Sequence, residues 1–185
     1  MKRQIKLFDP IIDNNELDIL NKTLKSKFWA DGSGNNQVKF FEEKFQKIIK
    51  SDFNIAVNSG TSALYLALSM EDIKDKEVIL PSMTFVSTAH SVIANNAKPV
   101  FADIDLDTLC IDPDKIEEST TKSTKIILPV HFGGLSCDLT KIKKICNTNN
   151  LTLIEDAAHA AGSYYKDKPI GSHGKFVCFS FHPVK

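Results

Sequence analysis

Two residues in this sequence have side chains whose chemistry is complementary. Asp156 ends the apolar segment LTLIED, and Lys185 ends the segment FSFHPVK. A lysine amine can form a Schiff base with an aldehyde, and a carboxylate can pair with the cationic ring nitrogen of a pyridine. Because one cofactor carries both an aldehyde and such a ring, the pair predicts a site for pyridoxal 5'-phosphate (PLP).

Three further segments carry side chains suited to a phosphate and a planar ring. In residues 58–63, NSGTSA, Gly60 and Thr61 would lie at a helix N-terminus, where unpaired N–H groups favour a phosphate. Phe85 would project from the start of another helix, where its ring can stack on a cofactor. Ser180 precedes Lys185 in the same segment and adds a hydroxyl group.

Each of these positions also has an ordinary structural interpretation. Serine and threonine are common helix N-caps, and Asp156 could serve as an N-cap too. Phe85 could be a core residue, and a single exposed lysine commonly has no role. The combination is more informative, because a carboxylate at the end of a buried strand needs a cation or several hydrogen-bond donors.

The elements that must position these residues follow an α/β pattern. From residue 54 onward, predicted strands alternate with helices predicted near 61–70, 84–95, 113–119 and 138–149; the strand segments are NIAVN, EVILP, PVFADI, KIILPV, LTLIED and FVCFSF. This alternation predicts a doubly wound, mostly parallel sheet with helices on both faces. Ligands of such sheets bind beyond the carboxyl ends of the strands, where the residues named above are expected.

The first part of the chain has a different pattern. Asp13 and Glu16 have the spacing of a capping box, and leucines then recur at helical spacing at Leu17, Leu20 and Leu24. A break at Gly32–Asn36 precedes a second apolar helix face, formed by Val38, Phe41, Phe45, Ile48 and Ile49. We therefore predict a helical N-terminal arm over residues 1–53 and an α/β domain over residues 54–185.

Composition narrows the class of protein. The 185 residues include 42% hydrophobic ones, enough for the core of one domain, and 23 basic residues balance 23 acidic ones. This balance gives no support for a nucleic-acid partner. No apolar run resembles a signal peptide or approaches a membrane span, so we expect a cytoplasmic protein without membrane contact. The four cysteines lack a CxxC pair and are expected to be reduced packing residues.

Other cofactors find little support in the sequence. Asp103, Asp105 and Asp107 alternate like the start of a calcium loop, but Thr108 stands where that loop needs glycine. The five histidines have no close zinc-ligand spacing, so no metal is expected. No GxGxxG fingerprint follows a predicted strand, which argues against a nicotinamide enzyme.

Together, these segments resemble the DegT/DnrJ/StrS family of PLP-dependent sugar aminotransferases, which has the aspartate aminotransferase fold (fold type I). The resemblance covers nearly the whole chain. It rests on VNSGTSALYLAL (57–68), LPSMTFVSTAHSVIANNAKPVFADIDLDTLCID (80–112), LPVHFGG (128–134), LIEDAAHAAGS (153–163) and FSFHPVK (179–185).

The resemblance implies a role for each candidate residue. Lys185 would form the internal aldimine and shuttle a proton, and Asp156 would pair with the pyridine nitrogen. The phosphate would be held by Gly60, Thr61 and Ser180, while Phe85 would stack on the ring and His159 would lie against the cofactor on the Asp156 side. The implied reaction transfers an amino group, usually from glutamate, to a nucleotide-linked keto sugar for surface polysaccharide or other amino-sugar biosynthesis.

The resemblance also implies a longer protein. Family members continue beyond this lysine through the rest of the large domain and a small C-terminal domain, and they pair as homodimers. We therefore expect the chain to be the N-terminal portion of such an enzyme, truncated before the small domain. Two alternatives remain open: a non-catalytic remnant or one half of a split enzyme, and a sugar dehydratase. Dehydratase relatives carry histidine in place of Lys185, so the lysine favours the aminotransferase.

Overall fold

The structure is a computed structural model that describes residues 10–29 and 37–184. The chain divides into two units, one formed by Met1–Ala56 with His182–Lys185 and the other by Val57–Phe181. The predicted break at Gly32–Asn36 and the candidate Lys185 lie outside the described residues.

The first unit contains the two predicted helices, α1 (Asn14–Ser26) and α2 (Gln37–Ile49). The capping box is confirmed, because the Asp13 carboxylate accepts the Glu16 amide and the Asp13 amide donates to Glu16 Oε2 at 2.7 Å. On α2 the apolar pattern is confirmed in part, since Phe45 and Ile49 are buried and Ile48 is exposed.

The predicted strand NIAVN is wrong, since residues 54–58 have no strand structure. Phe53 and Ile55 expose 88% and 72% of their surface. The polar groups of this segment bond to α2 instead: the Asn54 side chain donates to the Glu42 carbonyl at 3.2 Å, and the Ala56 amide donates to Glu42 Oε1 at 2.7 Å. Apolar alternation suggested a strand, but a strand also needs a neighbour to pair with.

The second unit confirms the predicted fold class. Its helices are α3 (Gly60–Ser69), α4 (Val86–Ala94), α5 (Pro113–Ser119) and α6 (Leu139–Asn149). Its five main strands are β1 (Glu77–Pro81), β2 (Lys98–Ala102), β3 (Thr124–Ile127), β4 (Thr152–Asp156) and β7 (Phe176–Cys178). Two short strands, β5 (Tyr164–Tyr165) and β6 (Lys168–Pro169), form a hairpin between β4 and β7. The five main strands form a parallel sheet in the order β2-β1-β3-β4-β7, whereas the antiparallel hairpin was not predicted.

Both faces of this sheet are covered, as a doubly wound arrangement requires. Side chains of alternate strand residues pack into two different clusters. On one face Ile79 and Ile127 pack with residues of α5 and α6, such as Ile116 and Ile142. On the other face the neighbouring strand residues pack with α3 and α4; they include Val78, Leu80, Ile126 and Ile154. The sheet is therefore buried on both sides, and its strand ends are left for ligands.

The remaining expectations concern cysteines, metals and membranes. All four cysteines are free and buried. Asp105 Oδ1 accepts the amides of Asp107 and Thr108 at 3.0 and 2.8 Å, so this carboxylate caps its own turn. Among the residues that the structure describes, no acidic, cysteine or histidine cluster has the arrangement of a metal site, and no helix is long and apolar enough to cross a membrane.

A cross-strand pair at the start of β1 predicts a pH-dependent contribution to stability. Glu77 accepts a hydrogen bond from the Thr121 hydroxyl at 2.6 Å and pairs with Lys98 at 3.0 Å. The Thr121 hydroxyl, then Lys98, lowers the pKa of Glu77 below its usual value. Because the pKa of Glu77 is lower in the folded state than in the unfolded state, ionisation of Glu77 stabilises the fold at pH values above the unfolded-state pKa. This contribution is lost as the pH falls through the folded-state pKa.

We expect Glu77→Gln to lower the free energy of unfolding at pH 7 by less than about 1 kcal/mol, as for other ion pairs at the protein surface. The difference from wild type should shrink as the pH falls below about 4, the usual range of a glutamate. Urea unfolding at several pH values measures both quantities. A difference that stayed constant from pH 7 to pH 3 would contradict the assignment.

Candidate active site

Asp156 ends β4 and has a buried carboxylate, with 5% of the residue exposed. Its Oδ2 atom accepts the hydroxyl of Thr88 at 2.9 Å, and its Oδ1 atom accepts the amide of Ala158 at 3.1 Å. The residues that follow form turns and no helix, so the alternative of a helix N-cap is wrong. Donors on both oxygens favour the ionised carboxylate, which is what a cationic ligand requires.

The neighbourhood of Asp156 is apolar on the β7 side. Cys178 lies opposite Asp156 in the parallel pairing of β4 with β7. Burial raises the pKa of the Cys178 thiol to about 12, and the charge of Asp156 adds to the shift. The thiol is therefore neutral at physiological pH, and it leaves the negative charge at this strand end on the carboxylate.

Phe85 lies at the N-cap position of α4 and exposes 67% of its surface. The alternative that Phe85 is a core residue is therefore wrong. The same short segment carries Thr84 and Thr88, and Thr88 bonds to Asp156. The start of α4 thus brings an exposed aromatic ring and a donor to Asp156 into one local structure.

Gly60 and Ser180 come together at the N-terminus of α3. A Cβ atom on Gly60 would lie 3.0 Å from the Ser180 Cβ and 3.2 Å from the Phe179 carbonyl oxygen, so only glycine fits without displacing the backbone of the neighbouring segment. Ser59 is the N-cap, and its hydroxyl accepts the Ser62 amide at 3.1 Å. The amides of Gly60 and Thr61 belong to the first turn, where a helix has no internal acceptor for them.

His159 lies in the turn after Asp156 and is held by the segment that follows β3. Its Nδ1 atom accepts the Gly133 amide at 3.2 Å, and its ring meets the Phe132 ring edge-on at a centroid distance of 5.8 Å. An Nδ1 atom that accepts an amide leaves the proton of a neutral imidazole on Nε2. A neutral His159 is therefore held by the Gly133 amide at Nδ1 and carries its proton on Nε2.

A buried pair behind this strand end was not predicted from the sequence. His131 Nδ1 accepts the Cys137 amide at 3.1 Å, so its Nε2–H donates to Glu155 Oε2 at 2.8 Å. Both side chains are fully buried. The His131 amide also donates to the Asp156 carbonyl at 3.0 Å. The pair thus joins the segment after β3 to the end of β4, which carries Asp156.

The predicted site residues of the second unit lie at the carboxyl end of the parallel sheet. The Ala157 amide donates to the Cys178 carbonyl at 2.8 Å, which aligns the end of β4 with the end of β7 and with Ser180 beyond it. Gly60 contacts Ser180, and Phe85 lies beside the threonine that bonds to Asp156. Thr88, His131 and Glu155 were missed, although the adjacency of Glu155 to Asp156 at the end of an apolar strand was a usable signal.

Comparison with known proteins gives the family. The model of the DegT/DnrJ/EryC1/StrS aminotransferase family matches residues 10–185. SpsC, a spore coat polysaccharide biosynthesis protein of Bacillus subtilis, is 43% identical over 177 residues, which are 95% of this chain and 45% of SpsC.

Solved structures agree with this match. PseC of Helicobacter pylori, an aminotransferase involved in the biosynthesis of pseudoaminic acid, matches with a TM-score of 0.91 at 27% identity. The match covers 99% of this chain and 49% of the PseC chain. The PLP form of Spr1654 from Streptococcus pneumoniae matches with a TM-score of 0.89 at 31% identity, and this match covers 99% of this chain and 50% of the Spr1654 chain. The expected fold type I is therefore confirmed.

The chain spans about half the length of the curated relatives that it matches. The matched region includes the buried acid, the glycine turn and the aromatic helix start described above. Because the family model matches nearly the whole chain, this chain belongs to the DegT/DnrJ/EryC1/StrS aminotransferase family.

Proposed function

We propose that this chain is the cofactor-binding, N-terminal portion of a PLP-dependent sugar aminotransferase. The reaction moves an amino group, with glutamate as the donor, to the keto carbon of a nucleotide-linked sugar. The observation that carries the proposal is the Asp156 carboxylate, which is buried and accepts hydrogen bonds at both oxygens at the same sheet end as the Gly60–Ser180 contact. A buried carboxylate held in this way is suited to a cationic ring nitrogen.

The residues of the second unit fit PLP. The Gly60 and Thr61 amides, the helix N-terminus and the Ser180 hydroxyl suit the phosphate. Asp156 suits the pyridinium nitrogen, and the exposed Phe85 ring suits the face of the cofactor. His159, which the Gly133 amide holds in the turn after Asp156, suits a contact with the cofactor on the Asp156 side. When bound, PLP supplies an aldehyde that carries the amino group and a ring that accepts electrons.

The protein's own groups would then do the following work. Asp156 keeps the ring nitrogen protonated by holding a negative charge beside it. Gly60, Thr61 and Ser180 hold the phosphate and so fix the position of the ring. Lys185 binds the cofactor through its amine and carries a proton to or from the reacting substrate carbon. Its position in the sequence, soon after Ser180, is consistent with both roles.

Covalent trapping tests the cofactor assignment directly. The chain is incubated with PLP, reduced with borohydride, digested and analysed by mass spectrometry. We expect a phosphopyridoxyl group on Lys185 and loss of this adduct in Lys185→Ala, whereas Lys175→Ala, which changes a lysine of a surface ion pair with Glu71, should retain it. Labelling spread evenly over the surface lysines, with none enriched at Lys185, would contradict the proposal.

The substrate class needs a separate experiment, because the relatives are about twice as long as this chain. A chimaera that continues this sequence with the C-terminal half of SpsC is supplied with glutamate and a nucleotide-linked keto sugar. An aminated sugar supports the proposal, and a dehydrated sugar supports the dehydratase alternative. The name of SpsC, a polysaccharide biosynthesis protein, supports a role in surface polysaccharide formation.

We also propose that the full-length protein is a homodimer. On α3 and α4 of the second unit and at the C-cap of α3, several large apolar side chains are exposed; they are Tyr65, Leu66, Met70 and Ile93. Exposed apolar groups of this size are typical of protein contacts. Light scattering of the chimaera measures its mass, and a monomer at micromolar concentration would contradict the proposal.

A further inference from the structure

Two threonine hydroxyls form a hydrogen-bonded chain that ends on Asp156. Thr88 is fully buried, and its Oγ1 atom lies 2.9 Å from Asp156 Oδ2. The Oγ1 atom of the half-buried Thr84 lies 2.7 Å from Thr88 Oγ1. A hydroxyl has one proton, and an ionised carboxylate can only accept. The Thr88 proton therefore goes to Asp156, and Thr84 must donate to Thr88.

The direction of this chain has a physical consequence for Asp156. A hydroxyl that receives a hydrogen bond is a better donor, because each bond polarises the next one. Hydrogen bonds to an ionised group are also stronger than those between neutral groups. Thr84 thus strengthens the bond from Thr88 to the carboxylate by acting through Thr88.

The local structure makes the two hydroxyls converge. Thr84 lies two residues before α4 and Thr88 lies in its first turn, so the chain that enters the helix brings the two hydroxyl oxygens within 2.7 Å. The Thr88 amide donates to the Phe85 carbonyl at 3.0 Å, which sets the first turn. One short segment therefore carries both the candidate stacking ring, Phe85, and the hydroxyls directed to Asp156.

We propose that the Thr84–Thr88 hydroxyl chain is a positioning device that holds the Asp156 carboxylate ionised and in one rotamer for the cationic ring nitrogen of PLP. This inference rests on the proposed function and extends it to two residues outside the predicted site. Thr84 and Thr88 act through Asp156 and are not catalytic residues. The Ala158 amide, which also donates to Asp156, belongs to the backbone, whereas the threonine hydroxyls can be removed by substitution.

The test compares PLP binding by wild type, Thr88→Val, Thr88→Ser and Thr84→Val, by equilibrium dialysis. Valine has nearly the shape of threonine without the hydroxyl, and serine keeps the hydroxyl. We expect a loss of affinity of about 10-fold for Thr88→Val, about 3-fold for Thr84→Val and less than about 2-fold for Thr88→Ser. The pH at which the visible band of bound PLP changes should move in Thr88→Val and return in Thr88→Ser.

A double substitution identifies the route of the effect. If Thr88 acts through Asp156, Thr88→Val causes no further loss of affinity in the Asp156→Asn background. An equal loss of PLP affinity in the wild-type and Asp156→Asn backgrounds overturns the inference. An unchanged PLP affinity in Thr88→Val also overturns it, and so does a loss of affinity in Thr88→Ser as large as that in Thr88→Val. If circular dichroism shows that Thr88→Val does not fold, Thr84→Val decides: a loss supports the inference and wild-type affinity overturns it.

The outcomes also separate this inference from the function on which it rests. Wild-type chain that fails to bind PLP overturns the proposed function, and the inference with it. Wild-type chain that binds PLP, with threonine variants that bind equally well, overturns the inference alone.

Discussion

Asp156→Asn is expected to weaken PLP binding by about 100-fold, because the buried charge pair with the ring nitrogen contributes about 3 kcal/mol or more. Asparagine has nearly the same shape, so the turn after β4 can keep its geometry. The remaining oxygen can still accept the Thr88 hydroxyl or the Ala158 amide, which limits the effect on folding. Equilibrium dialysis with PLP measures the loss of affinity.

Asp103→Asn is the matched control for this substitution. Asp103 follows β2 at the same end of the sheet, but it is exposed, and its carboxylate accepts the Ser82 hydroxyl at a long 3.4 Å. We expect wild-type PLP affinity for this variant. Equal losses for the two substitutions would mean that the general charge of the sheet edge, and not the buried carboxylate, attracts the cofactor.

Glu155→Ala is expected to lower the free energy of unfolding by about 3 kcal/mol. The substitution leaves the buried His131 Nε2–H without its acceptor and opens a cavity beside it. The packing around this carboxylate is tight, since a Cβ atom on Gly174 would lie 2.6 Å from Glu155 Oε1. Urea unfolding followed by circular dichroism gives the difference in stability.

Two further variants show whether burial of this pair is the cause. Glu118→Ala removes a carboxylate that pairs with Lys115 on the surface, where both side chains are largely exposed, and should cost less than about 1 kcal/mol. Glu155→Gln keeps an acceptor for His131 and should recover part of the lost stability. A cost for Glu155→Ala no larger than that for Glu118→Ala would refute the role of the buried pair.

The parallel sheet could be predicted because its central strands, such as β1 and β4, are buried on both faces. Segments such as EVILP and LTLIED are then nearly continuous apolar runs, and each is followed by a helical pattern. The error at NIAVN has the same origin, because an apolar run resembles a strand whether or not a partner lies beside it. Phe53 and Ile55 are exposed in the structure, and the segment bonds to Glu42.

The candidate site could be predicted only in part. Asp156 ends a strand and Gly60 begins a helix, at positions where their residue types are unusual, so both are visible in the sequence. Thr88 is an ordinary threonine inside a helix, and it lies 68 positions from the carboxylate that it contacts. His131 and Glu155 have no local pattern that joins them, since their bond crosses from the end of β3 to β4.

The sequence by itself determined the class of fold, the family resemblance and the type of chemistry, because apolar periodicity and the order of short motifs are local properties of the chain. Only the tertiary structure decided what surrounds Asp156: the Thr84–Thr88 chain on one side and the His131–Glu155 pair behind the strand. Such contacts arise when strands and helices distant in sequence meet at one end of the sheet. Their energies depend on burial and on atomic distances, which no spacing of residues along the chain specifies.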